Sequence, residues 1–117
     1  MRKKSNSKDI NAFFGQGTNF VGKLEFEGVL RIDGEFEGQI VSDGVLIVGE
    51  KANLRGLFQV RQLVLNGILS GQVVAQEKVV LNRTAYLQSD VTTPFMEMHE
   101  KAVFNGRITM HHRDKIA

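Results

Sequence analysis

Five carboxylates crowd one stretch of the chain: Glu25, Glu27, Asp33, Glu35 and Glu37. Paired carboxylates can hold one raised pKa and so serve general acid/base chemistry or bind a cation. These alternate with apolar residues, which puts them on the outward faces of strands, and a solvated stripe is the better reading. His111 and His112 are adjacent in a charged tail and His99 sits in a long corner, whereas a zinc site needs three or four convergent, well-supported ligands. Ser70, Ser89, Thr84, Thr92 and Thr93 lack a histidine or lysine partner at a recognisable spacing, so nucleophilic catalysis has no support. Neither Gly-x-x-x-x-Gly-Lys-Ser/Thr nor Gly-x-Gly-x-x-Gly occurs, and the glycines read as corner residues rather than a phosphate cradle. No catalytic, cofactor-binding or metal-binding residue is assigned.

Composition narrows the classes further. The 117 residues, 42% of them apolar, suit one domain with one core. There is no cysteine, which rules out disulfides, a thiol nucleophile and a zinc ribbon and suits a reducing cytoplasm. The start Met1-Arg-Lys-Lys4 is basic, but no apolar segment suited to a signal peptide follows, and no apolar run approaches the ~18 residues that span a bilayer. The net charge of +2 is uneven: residues 1–12 and 111–117 are basic, and the body between them is slightly acidic. It carries no basic patch of nucleic-acid strength, so nucleic acid is an improbable partner.

The elements that must hold these residues repeat. A small residue, any residue and a large apolar one recur as Gly22-Lys-Leu24, Gly38-Gln-Ile40, Gly56-Leu-Phe58, Gly71-Gln-Val73, Ser89-Asp-Val91 and Gly106-Arg-Ile108. A period this short predicts a stacked solenoid, because one unit cannot bury its own apolar face. Apolar residues alternate within each repeat, as in Leu30, Ile32 and Leu46, Val48, which is the period of a strand with one face buried. Two corner lengths precede the small residue. The short form is Ile32-Asp-Gly-Glu-Phe36 or Leu65-Asn-Gly-Ile-Leu69; the long form runs Phe14 to Phe20, Val48 to Leu54, Leu81 to Leu87 and Met98 to Phe104. The single proline, Pro94, falls at a corner. Three short strands and three corners in a turn of ~17 residues predict an all-β fold, a triangular β-helix (β-solenoid) of about six turns. The variable corner lengths favour a right-handed helix over the left-handed hexapeptide type.

The expected boundaries are a flexible basic tail over 1–12, a β-helical domain over 13–110 and a short tail over 111–117. Solenoids close their open backbone edges with a helix or a polar repeat. Neither end here shows one. Phe13, Phe14, Phe20 and Leu24 at one end, and Met96, Met98, Phe104 and Ile108 at the other, make two apolar terminal layers suited to an end-to-end contact. If like ends meet, the polymer has no polarity. Arg2, Lys3, Lys4 and Lys8 are candidate contacts for anionic lipid at about 1 kcal/mol each; the plainer reading is a solvated tail.

The stretch Phe26-Glu-Gly-Val-Leu-Arg-Ile-Asp-Gly-Glu-Phe-Glu-Gly-Gln-Ile40, with Leu46-Ile-Val-Gly-Glu-Lys-Ala-Asn-Leu-Arg-Gly56, Leu63-Val-Leu-Asn-Gly-Ile-Leu-Ser-Gly71 and Ala102-Val-Phe-Asn-Gly106, resembles the bactofilins. The resemblance implies a bacterial cytoskeletal protein whose right-handed β-helical domain polymerises without nucleotide into non-polar filaments through like ends. It also implies a scaffold for envelope or cell-shape machinery in the cytoplasm, with a short N-terminal segment that in many members reaches the inner membrane. The proline-rich tails usual in the family are nearly absent here.

The expected function is therefore a non-enzymatic, self-associating scaffold with no cofactor and no small-molecule substrate. Cell-envelope or cell-wall proteins and a peripheral membrane contact are its candidate partners. A non-polymerising binding module is the second reading. An acyltransferase or carbonic anhydrase of the hexapeptide type is the third, and it wants histidines on the repeats where only His99 lies.

Overall fold

The computed structural model describes residues 12–110. The expected tails, with Arg2, Lys3, Lys4 and Lys8 in one and residues 111–117 as the other, lie outside the described residues. The described chain consists of strands and turns. In order these are β1 (Ala12–Phe14), β2 (Asn19–Phe26), β3 (Val29–Ile32), β4 (Glu35–Ser42), β5 (Val45–Val48), β6 (Asn53–Leu65), β7 (Ile68–Leu81), β8 (Tyr86–Thr93), β9 (Met96–Met98), β10 (Val103–Asn105) and β11 (Ile108–Met110).

Every pairing between them is parallel and joins one turn to the next. Parallel strands need a return path, and here the other two sides of the same turn provide it. The result is a β-solenoid of about six turns with three faces. Face I holds residues 19–22, 35–38, 53–56, 68–71, 86–89 and 103–105. Face II continues from it through 22–26, 38–42, 56–60, 71–75, 89–93 and 108–110. Face III holds 12–14, 29–32, 45–48, 62–65, 78–81 and 96–98.

The corners follow the two expected lengths. Each long corner closes with a backbone bond to the residue three before it, from Thr18 to Gly15, Ala52 to Gly49, Ala85 to Asn82 and Ala102 to His99, over 3.0–3.3 Å. The short corners are Asp33-Gly34 and Asn66-Gly67. There a Cβ on Gly34 or Gly67 would press on the carbonyl oxygens of the turn beneath. Side chains close part of the corner columns: Asn82 Nδ2 donates to Asn66 Oδ1 at 2.9 Å, and Asn66 Nδ2 to the Val48 carbonyl at 3.1 Å. Ser42 Oγ donates to the Phe26 carbonyl and accepts from Gly44 N–H.

The boundary between faces I and II is a column. Gly22 pairs with Gly38, Gly38 with Gly56, Gly56 with Gly71 and Gly71 with Ser89. The glycines of this column, Gly106 included, have φ between +124° and +147°, a region that L side chains avoid. The strand turns its direction there without leaving the hydrogen-bonded ladder. Arg61 lies at a register shift where β6 bends from face II to face III.

The core is a stack of inward columns, one residue per turn. Phe20, Phe36, Leu54, Leu69, Leu87 and Phe104 form one, and Leu24, Ile40, Phe58, Val73, Val91 and Ile108 a second. Face III adds two more, from Ala12 to Met96 and from Phe14 to Met98. Each fully buried member contributes about 1.5–3 kcal/mol. Every fully buried apolar residue lies between Leu30 and Val91, so the first and last turns contribute none.

Candidate functional site

The two outermost turns are where these columns stop. In the first turn Phe14, Phe20 and Leu24 point inward yet stay only partly buried, packed on the core from one side. Phe20 stacks on Phe36 with ring centroids 5.1 Å apart and planes within 5°, and it meets Phe14 of its own turn at 5.5 Å. The aromatic rings of the first turn are therefore packed on the second. At the opposite end Met96 and Phe104 are partly buried, while Met98 and Ile108 are 48% and 38% exposed. Those two occupy the same columns as the fully covered Leu81 and Val91 one turn below. Among the described residues no further layer lies over them.

Seven of the eight residues expected at the ends thus occupy inward columns of a terminal turn. Phe13 does not. It lies between the inward-facing Ala12 and Phe14 of β1, points outward on face III and is 57% exposed. The sequence reading missed Ala12 and Phe26 in the first turn and Ala102 in the last, all of which pack on the core. It also missed Met110, which pairs with buried Thr93 and is itself 50% exposed. The alternation Ile108, Met110 carried that signal. Among the described residues no helix lies over either end.

The candidate chemistry is spread apart. Glu25, Glu27, Glu35 and Glu37 are exposed, with Glu37 3.1 Å from Arg55 across one turn. Asp33 accepts from Arg31 Nε at 3.1 Å. His99 lies 2.8 Å from Glu97, and no three His, Cys, Asp or Glu side chains converge among the described residues. Glu77 is held below the usual carboxylate range, first by a hydrogen bond from Gln62 and then by Arg61. Ser89 Oγ is buried without a hydrogen-bond partner. No helix among the described residues is long and apolar enough to cross a membrane.

Parallel turns with apolar columns running through them define a β-solenoid whose outermost layers are half-covered among the described residues. The chain belongs to the bactofilin family: the family model, described as polymer-forming cytoskeletal, matches residues 12–109. It is similar to Bactofilin BacP of Myxococcus xanthus (strain DK1622), 26% identical over 100 residues, which cover 86% of this chain and 42% of that protein. The match therefore spans less than half of that relative's length. No solved structure matches.

Proposed function

We propose that this chain polymerises end to end, without nucleotide, into filaments that lack polarity, and that these serve as a cytoplasmic scaffold for cell-shape or envelope machinery. The observation that carries the reading is the pair of half-covered terminal turns. Phe14, Phe20 and Leu24 at one end, and Met96, Met98, Phe104 and Ile108 at the other, continue columns that are fully buried everywhere between. A second copy stacked on such a layer buries those side chains and satisfies the outermost strand edge in the same step. Assembly of this kind draws on apolar burial and backbone pairing, so it needs no nucleotide. The basic residues Arg2, Lys3, Lys4 and Lys8 add a weak, salt-sensitive contact with anionic lipid.

A second role, docking of a protein partner, has one observation in its favour. Ile68, Tyr86 and Val103 lie in register on the outer side of face I, each at least 40% exposed. They form an apolar ridge near the C-terminal end.

The deciding experiment is negative-stain electron microscopy of the purified protein at micromolar concentration without nucleotide or metal. Long uniform filaments are expected; compact particles alone would overturn the reading and leave the docking role.

A further inference from the structure

Face III carries apolar residues on its outer side as well as on its inner one. Its strands read Val45-Leu-Ile-Val48, Leu63-Val-Leu65 and Val79-Val-Leu81, the near-continuous runs that parallel sheets show where both faces are covered. The inward members are core. The outward members form a column of one residue per turn, in register: Phe13 of the first turn, then Arg31, Ile47, Val64, Val80 and Glu97; the last five make the patch, and Phe13 lies one turn beyond Arg31.

We propose that face III is the seam along which two filaments of this chain lie side by side, each copy facing one of opposite direction across a two-fold axis at Val64. The column is self-complementary under that operation, as an isologous contact requires. Val64 meets its own copy, Ile47 meets Val80, and Arg31, two turns to one side, meets Glu97, two turns to the other. Centring the axis one turn away in either direction sets Arg31 or Glu97 against Val64, a charge against an apolar side chain. Both charged groups keep capacity for the contact. Arg31 donates to Asp33 through Nε and retains its terminal nitrogens, while Glu97 faces His99 through Oε2 and retains Oε1. In the adjacent column Lys78 falls opposite Val45 of the second copy, where its aliphatic stem can lie over the valine and its ammonium reach the rim.

Size makes the contact conditional on assembly. Four residues at about 3.3 Å and five turns at about 4.8 Å give one copy roughly 300 Å² of this face, well short of the ~800 Å² per partner of a stable interface. Two isolated copies do not hold together, whereas a filament repeats the patch and sums it. The inference thus rests on the end-to-end reading above.

The chain lacks cysteine, so a single introduced thiol reports cleanly. Facing sheets put the two Val64 Cα atoms about 10 Å apart, too far for a disulfide and within reach of a short bis-maleimide. In the assembled full chain, Val64→Cys is expected to give at least fivefold more covalent dimer than Val74→Cys, which lies outward on face II. Arg31→Glu and Glu97→Arg should each lower that yield, and the double swap should restore it. Equal yields at positions 64 and 74 would overturn the seam. So would loss of flotation with phosphatidylglycerol vesicles in Val64→Lys without cross-linking at position 64, which would assign the face to lipid. Microscopy of the same samples separates the two readings: absent filaments remove end-to-end assembly and the seam that depends on it, while filaments without the position-64 product remove the seam alone.

Discussion

Gly56 sits in register on Gly38, one turn away, with φ of +139°, and a Cβ on Gly56 would be built onto the Gly38 carbonyl oxygen. The same superposition recurs for Gly71 on Gly56 and Gly38 on Gly22. The column is therefore a condition of stacking, since each turn bends where its neighbour's carbonyl lies.

Gly56→Ala should be among the most damaging single-methyl changes in the chain. It combines backbone strain with a clash that only a shift of two turns relieves, at a cost of about 3 kcal/mol or more. Thermal unfolding should show a fall in midpoint on the order of 10–20 °C. An unchanged midpoint would show that the column tolerates side chains.

Ser89 tests the opposite case. It occupies the column with its side chain buried and its hydroxyl without a partner. Ser89→Ala removes a desolvated polar group at constant shape, so stability should hold or rise by up to about 1 kcal/mol. Denaturant unfolding measures it, and a loss above that size would mean the hydroxyl is satisfied in solution.

Phe104→Arg should separate folding from assembly. Phe104 closes an inward column from one side only, so the guanidinium can escape outward in the monomer but not within a dry end contact. Circular dichroism should be unchanged while filaments disappear from micrographs. Filaments that persist would reassign this end.

Glu77 gives a pH dependence of known sign. Its folded pKa lies below the ordinary carboxylate value of about 4.3, chiefly because Gln62 donates to it and secondarily because of Arg61. The group therefore contributes stability that is complete above that value and is lost as pH falls through the lowered one. The Glu77 side chain is 50% exposed, so the contribution is small. The fall in melting temperature on acidification below about pH 4.5 should be shallower in Glu77→Gln, and an identical slope would remove the assignment.

Much of this fold is legible in local pattern. The repeated Gly-x-apolar register is the glycine column, and the Asp33-Gly34 and Asn66-Gly67 pairs are its short corners. The alternation Leu30, Ile32 and Leu46, Val48 is the inward side of face III. Each of these signals comes from residues a few positions apart, where backbone sterics and a two-residue period dictate the outcome. The candidate ends were legible for the same reason, except that Phe13 and Phe14 are adjacent apolar residues and only the pairing of β1 with β3 decides which points in.

The chain's own pattern set the period, the corners and the apolar character of both terminal layers. Stacking decided the rest: that Phe20 lies flat on Phe36, that Ser89 is buried without a partner, and that Arg31 and Glu97 stand two turns either side of Val64. These are relations between residues about one or more turns apart in the chain. Corners of unequal length and a bulge at Arg61 keep simple counting from aligning them, so only the hydrogen-bond ladder between neighbouring turns sets the register.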